Sequence, residues 1–418
     1  MHWLNNGQEF LWASEKDGWR HLYRISRDGK EKTITNGKYD VMDISTIDEK
    51  GGYVYFHASP DNATQKYLCR TRLDGTGQLE LISPVNQKGT HNYNVSPNAK
   101  FAQHRFSNYY TAPVTEWITL PDHKGINNEN KVNDAVAKAD KSKSNIEFFK
   151  VTTEEGVTMD AWMVKPANFD STKKYPVVFY VYTEPWGQNV VDSWGATNNF
   201  MFQGDMSKEG YIYMSIDNRG TPVPKGREWR KVVYRKIGLV NIKDQAMATK
   251  EIMKWPYIDS SRIGVWGWSG GGSATLNLMF QYPEIYKTGI AVAPVANQLT
   301  YDNIYQERYM GLPQENKQDF INGSPMTYAK NLKGNLLYVH GTGDDNVHYN
   351  NADMLFNELI KYNKQFQMMS YPNRTHGISE GPGTNEHLST LYTQYLRAHL
   401  PGGPVDRTKP AVVTPKPF

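Results

Sequence analysis

Arg262-Ile263-Gly264-Val265-Trp266-Gly267-Trp268-Ser269-Gly270-Gly271 is the stretch on which the reading of this chain turns. It opens as an apolar run of strand character and closes on Gly-x-Ser-x-Gly. The residues that follow, 273–282, carry a helical pattern that Pro283 ends. A strand that must turn at once into a helix leaves one side chain, here a hydroxyl, at the tip of the bend. The tip is strained, so the residues two places to either side must lack a Cβ. The helix that follows aims its positive end at the same spot, where an oxyanion would be favoured. A glycine-rich phosphate cradle is the rival reading, but no Lys-Ser/Thr pair follows the glycines.

Working outward, strands and helices alternate across 146–400. Val177-Val178-Phe179-Tyr180-Val181-Tyr182 and Tyr211-Ile212-Tyr213-Met214-Ser215-Ile216 are continuous apolar runs of the kind buried in parallel sheets. Strands are also expected at 289–292, 336–340 and 366–371, and helices at 237–253, 351–362 and 387–400. This alternation predicts a doubly wound, mostly parallel sheet, the α/β class.

A serine nucleophile needs a base, and the base needs an orienting acid, in the chain order Ser, Asp or Glu, His. Strand 336–340 runs into Thr342-Gly343-Asp344-Asp345-Asn346, and strand 366–371 into Asn373-Arg374-Thr375-His376-Gly377. Both loops lie past the C-terminal ends of parallel strands, where such sheets place their sites. The assignment is Ser269 as nucleophile, His376 as base then acid, and Asp344 as orienting acid, with Asp345 its neighbouring alternative. His340 and His348 flank the same loop and with Asp344 form a weaker metal pattern. His340 ends a buried strand and is expected in the core, so no metal and no organic cofactor are assigned. The oxyanion needs two donors. Gly270 offers a backbone N–H, and no His-Gly-Gly run follows strand 177–182, so the hydroxyl of Tyr182 is the second.

The N-terminal 120 residues have another texture. Phe10-Leu11-Trp12-Ala13-Ser14 and Leu22-Tyr23-Arg24-Ile25 precede an Asp28-Gly29 turn. Tyr53-Val54-Tyr55-Phe56 and Tyr67-Leu68-Cys69-Arg70 precede Asp74-Gly75, 74 − 28 = 46 residues on. Phe101 begins a third, looser copy. Short strands repeating at this period predict about three β-propeller blades, with an ordinary β-sandwich as the alternative. Three blades cannot close a ring, so either the chain is the C-terminal piece of a longer protein or the repeat reading fails. The expected division is blades over 1–120, a polar linker over 121–145 with room for one short helix, the α/β domain over 146–400, and an extended or disordered Pro-rich tail over 401–418.

Composition excludes several classes. Forty-seven Lys and Arg against 43 Asp and Glu give a net +4, too mild for a nucleic-acid arm or a polybasic membrane patch. Charged residues at 22% and aromatics at 13% exclude extended disorder. No apolar run reaches the ~18 residues of a membrane span. The single cysteine, Cys69, excludes an internal disulfide and a cysteine-held metal within this chain. Met1-His2-Trp3-Leu4-Asn5 lacks the basic and apolar parts of a signal peptide. A partial propeller makes this start uninformative, and no compartment is assigned.

Four longer stretches, Gly267-Trp268-Ser269-Gly270-Gly271-Gly272, Ala291-Val292-Ala293-Pro294-Val295, Tyr305-Gln306-Glu307-Arg308-Tyr309-Met310-Gly311-Leu312-Pro313 and His340-Gly341-Thr342-Gly343-Asp344-Asp345-Asn346-Val347-His348, resemble the prolyl oligopeptidase family of serine peptidases, in its dipeptidyl peptidase IV-like branch. The resemblance implies an α/β-hydrolase domain preceded by a propeller. It implies small peptide substrates with proline or alanine at the penultimate position, and a homodimer through the hydrolase domain. By the same resemblance Trp268, Val295, Tyr301, Tyr305 and Val347 wall an apolar substrate pocket, and Asn346 bonds a substrate carbonyl. Residue 270 is Gly where some relatives carry Tyr. The paired glutamates that hold the substrate's α-amine belong to an earlier blade, and Glu154-Glu155 reads as a solvated turn. Tripeptidyl or acylaminoacyl release, a carboxylesterase with the same triad, and a non-catalytic scaffold are the alternatives.

Overall fold

The structure is a computed structural model that describes residues 1–406. The backbone divides into two compact units. One holds residues 1–144 together with 190–196 and 222–231; the other holds 145–189, 197–221 and the rest from 232.

The first unit contains three four-stranded antiparallel sheets, each a simple meander. The first runs His2–Leu4, Glu9–Ser14, His21–Ser26, Glu31–Thr33; the second Val41–Asp48, Tyr53–Ala58, Tyr67–Arg72, Glu80–Leu81; the third Thr90–Val95, Phe101–Asn108, Thr111–Thr119, Lys124–Gly125. Each is a propeller blade. Period-2 alternation gives every blade two packing faces. Val54, Phe56 and Cys69 of the second blade pack with Leu11 and Leu22 of the first, while Tyr55 and Leu68 turn the other way to Ala102 and Ile118 of the third. Cys69 is buried, and its thiol is pushed up to about 12 by that burial, so it behaves as a small apolar side chain.

The third blade runs past residue 120. Lys124 and Gly125 pair with Thr119 and Ile118 as its outer strand. The expected linker also holds a helix, Lys131–Lys138, whose Val132 is buried and donates its N–H to Glu116 Oε2 at 3.1 Å. A two-residue edge strand of Lys and Gly carries no apolar alternation, which is why this segment reads as linker.

The second unit is built on one nine-stranded sheet. Its strands are β1 (Ile146–Thr152), β2 (Thr158–Val164), β3 (Lys173–Tyr180), β4 (Ile212–Ile216), β5 (Ile258–Trp268), β6 (Thr288–Val292), β7 (Asn335–Gly341), β8 (Gln367–Tyr371) and β9 (Val405–Asp406). The spatial order is β1-β2-β4-β3-β5-β6-β7-β8, with β9 beside the start of β3. β1 and β2 are antiparallel, and β4, β3, β5, β6, β7 and β8 are parallel. This is the α/β-hydrolase arrangement. Val177, Val178, Phe179, Ile212, Met214, Ile263 and Ile290 are at most 1% exposed, because strands covered on both faces have no polar side. The helices that matter to the site are α1 (Val240–Ile252), α2 (Gly270–Gln281), α3 (Asn303–Met310) and α4 (Asn350–Lys361). None of the described helices is long and apolar enough to cross a membrane.

The first residues of the expected tail are held in place. Val405 and Asp406 pair antiparallel with Lys174 and Lys173, and Arg262 Nη1 donates to the carbonyls of Pro401 at 2.9 Å and Gly403 at 3.0 Å. A buried guanidinium with backbone acceptors over-rules what the Pro-Gly composition alone suggests. Residues 407–418 lie outside the described residues.

Candidate active site

Ser269 stands at the tip of the bend between β5 and α2, with φ +57° and ψ −121°. That is a strained backbone for a residue with a Cβ. Its N–H donates to the Val292 carbonyl of β6 at 2.8 Å, and its carbonyl accepts from Ser273 N–H at 2.9 Å. The glycines around it are sterically required. A Cβ on Gly267 would lie 2.4 Å from the Val181 carbonyl oxygen, and one on Gly271 2.2 Å from the same atom.

β7 and β8 deliver the other two groups. His376 Nδ1 is 2.8 Å from Asp344 Oδ2. Asp345 is exposed and Asp344 is buried, so the geometry selects Asp344. The carboxyl is heavily bonded: Oδ1 accepts from the N–H groups of Asn346 at 2.9 Å and Val347 at 2.8 Å, and Oδ2 lies 3.0 Å from His340 Nε2. Burial opposes its charge, but the bonds from His340 and His376 outweigh burial and hold it well below the usual carboxylate range. His340 is therefore more than core filling. Tyr338 hydroxyl sits 3.0 Å from its Nδ1, which leaves Nε2–H to donate to Asp344 and to the Val347 carbonyl at 2.8 Å. No hydrogen bond joins Ser269 Oγ to His376 among the described residues; such bonds are often long before substrate is seated.

A pocket of about 320 Å³, open mouth included, lies at Ser269. It is lined by Tyr182, Glu184, Ser269, Gly270, Val295 and Tyr305, with Trp186, Ser273, Gln298 and Tyr301 completing it. Tyr182 follows β3. A Cβ on Gly187 would fall 2.3 Å from its ring, so Gly187 lets the chain cross the ring and fix it. Burial raises the Tyr182 phenol above its ordinary value, as does the Glu184 charge, which keeps the hydroxyl a donor. Gly270 N–H opens α2, where no intrahelical acceptor exists.

The expected pocket walls separate into two groups. Val295, Tyr301 and Tyr305 line the pocket, the two tyrosine rings 5.4 Å apart. Trp268 and Val347 do not. Trp268 Nε1 donates to the His376 carbonyl at 3.0 Å and so ties the His376 loop to the end of β5. Val347 is buried behind Asp344. Asn346 accepts from the Tyr301 hydroxyl at 2.9 Å and lines a second opening with Asp302, Asp345, His348 and His376. Glu184, Trp186, Ser273 and Gln298 escaped the sequence reading. Glu184 and Trp186 stand just past Tyr182, in the loop where the sequence showed only that no His-Gly-Gly run follows the strand.

His340, His348 and Asp344 do not gather as a metal set, since His348 is exposed on the second opening. In the third blade the donor atoms of His104, Glu116 and His123 lie within 4.8 Å of one another. They are engaged already: His104 Nδ1 with Glu116 Oε1 at 2.9 Å, His104 Nε2 with His91 Nδ1 at 2.9 Å, and His123 Nε2 with Tyr93 hydroxyl at 2.8 Å.

Residues 198–402 match the prolyl oligopeptidase family, and residues 1–113 match the dipeptidyl peptidase IV N-terminal region. Dipeptidyl peptidase 4 of Trichophyton equinum is 33% identical over 364 residues, 85% of this chain and 46% of that protein. The crystal structure of Porphyromonas gingivalis dipeptidyl peptidase 4 superposes with a TM-score of 0.84 at 30% identity, covering 96% of this chain and 55% of that one. A putative dipeptidyl aminopeptidase IV from Bacteroides ovatus gives 0.81 at 27%, covering 94% and 57%. The chain spans about half the length of the curated relatives it matches. The stretch that matches the prolyl oligopeptidase family model holds Ser269, Asp344 and His376, and the chain belongs to that family.

Proposed function

We propose that this chain carries the catalytic machinery of a serine peptidase that removes dipeptides from small peptides, cutting after a penultimate proline or alanine. The observation that carries the reading is the 2.8 Å bond between His376 Nδ1 and Asp344, in the unit where a strained Ser269 opens onto a pocket with Tyr182 and Gly270. Ser269 Oγ attacks the scissile carbonyl carbon and gives its proton to His376 Nε2. Asp344 holds the ring in the tautomer that can accept it. The carbonyl oxygen becomes an oxyanion between Gly270 N–H and Tyr182 O–H. His376 then hands the proton to the leaving amine, the C–N bond breaks, and an acyl-enzyme remains. Water, deprotonated by His376, attacks that ester and restores Ser269. A proline ring suits the slot between Tyr301, Tyr305 and Val295 because its φ is fixed beforehand, so little freedom is lost on binding.

Ser269→Ala should abolish release of nitroaniline from Gly-Pro or Ala-Pro nitroanilides and abolish labelling by a fluorophosphonate. Turnover retained above a few per cent of the parent rate would overturn the assignment.

A further inference from the structure

One polar side chain at the nucleophile is idle in that mechanism. Glu184 is 7% exposed and lines the same pocket as Ser269, Gly270, Val295 and Tyr305. Its Oε2 accepts from the Tyr305 hydroxyl. Among the described residues nothing donates to Oε1, and no Lys, Arg or His pairs with the carboxyl. Oε1 lies on the Gly270 side, 2.6 Å from where a Cβ on that residue would stand, in the pocket that both residues line.

The fold holds this carboxyl in place from two sides. Thr183, just before it, is in the left-handed region at φ +66°, with its hydroxyl accepting from Asn241 Nδ2 at 3.0 Å and its carbonyl from Asn218 Nδ2 at 3.3 Å. From the other side, a Cβ on Gly270 would lie 2.2 Å from Glu184 Cγ, so any side chain at 270 would expel it. Gln298, 4% exposed and bonded to Gln306 Nε2 at 2.7 Å, adds a second polar group to the lining. A slot walled by tyrosine and valine thus has a carboxylate with one acceptor unspent. Such a group is unfavourable against an aliphatic ligand and favourable against a donor.

We propose that Glu184 is a specificity-determining residue: it selects, at the residue just before the scissile bond, compact side chains that bring a hydrogen-bond donor or a positive charge, over aliphatic side chains of the same size. The inference rests on the peptidase reading above. Sites built to bond a substrate donor reject the analogue that lacks it, because their own buried group is then left unpaired.

The test uses three near-isosteric nitroanilides, Ala-Ser, Ala-(2,3-diaminopropionyl) and Ala-(2-aminobutyryl), beside Ala-Pro, with the full chain at pH 8. The parent protein should favour the seryl and diaminopropionyl substrates over the aminobutyryl one by roughly 10-fold or more in kcat/KM, the scale of a bond to a charged group. Glu184→Ala should bring those ratios to near 1, and Glu184→Gln should erase the diaminopropionyl preference in particular. A parent protein that cleaves the aminobutyryl substrate equally well or better overturns the inference alone, without needing any variant to fold, and leaves the peptidase intact. No turnover of any of the four overturns both readings.

Discussion

Glu184 holds its proton over more of the pH range than an ordinary carboxylic acid. Burial disfavours the anion, the Tyr305 bond offsets only part of this, and the group is pushed up from 4.5 to about 7. Between those values the folded chain keeps a proton that the unfolded chain has released. The resulting stabilisation is complete below about 4.5 and disappears as pH rises through 7. Glu184→Gln carries no such proton. Between pH 4.5 and pH 8 the parent should therefore lose on the order of 3 kcal/mol relative to that variant, read from urea midpoints. Parallel pH profiles for the two would sink the argument. At this scale the sequence was informative where chemistry dictates residue type and order. The places of Ser269, Asp344 and His376 in the fold could be read because a bend, two strand ends and a chain order converge on them. Glu184 could not, since an acid in a loop ordinarily reads as solvated. Nor could the bond from His340 to Asp344: it depends on how a four-residue loop folds back, which periodicity does not report.

Among the elements, the bend from β5 into α2 is the tightest piece of packing. Three consecutive glycines form the first turn of α2, and two of them face carbonyl oxygens closely: Gly271 meets that of Val181, and Gly272 that of Val292 at 2.6 Å from a built Cβ. Helix propensity predicts a later start, near 273, because glycine disfavours helix. The observed start at Gly270 shows close approach to β3 and β6 prevailing over propensity. Gly271→Ala tests this. The added methyl must displace Val181 and with it Tyr182, so fluorophosphonate labelling of Ser269 should slow by roughly 10²-fold. Stability should fall by about 1–3 kcal/mol. Labelling at the parent rate would mean that the bend can yield without moving the proposed oxyanion donors, Tyr182 and Gly270. The strands and helices that the sequence placed in the sheet unit lie within a few residues of those observed, since long apolar runs and helical periods are strong signals; Ile146–Thr152, Thr158–Val164 and Asn303–Met310 were not among them. The outer blade strand at Lys124–Gly125 was not, because two polar residues at an edge carry no pattern.

The whole molecule is divided in a way no local pattern announces. Residues 190–196 and 222–231 lie in sequence among the elements of the sheet unit, yet they belong to the blade unit. Their bonds explain it. Arg230 grips Asp40 with both Nη atoms, at 2.7 and 3.0 Å, and Asp40, 2% exposed, also accepts from Gly226 N–H at 2.8 Å. Asp192 accepts from Gln65 Nε2 at 2.8 Å and from Tyr109 N–H at 3.0 Å. Arg230→Ala would leave the Asp40 charge buried without its partner, so the blade unit should lose about 3–5 kcal/mol in denaturant melts. A change under 1 kcal/mol would show the pair to be dispensable. From the sequence these two segments look like ordinary connections between elements of the sheet unit, and only long-range pairing assigns them elsewhere.

That sharing alters what a break in the chain would do. A nick between 126 and 144 severs the backbone ahead of the sheet unit, but the first 125 residues would still grasp two loops from the far side of the cut, through Asp40 with Arg230 and Gln65 with Asp192. The halves of such a clipped protein would stay buttoned by side chains after the backbone link is gone. A gene that inherited the hydrolase alone would inherit two buttons without their holes.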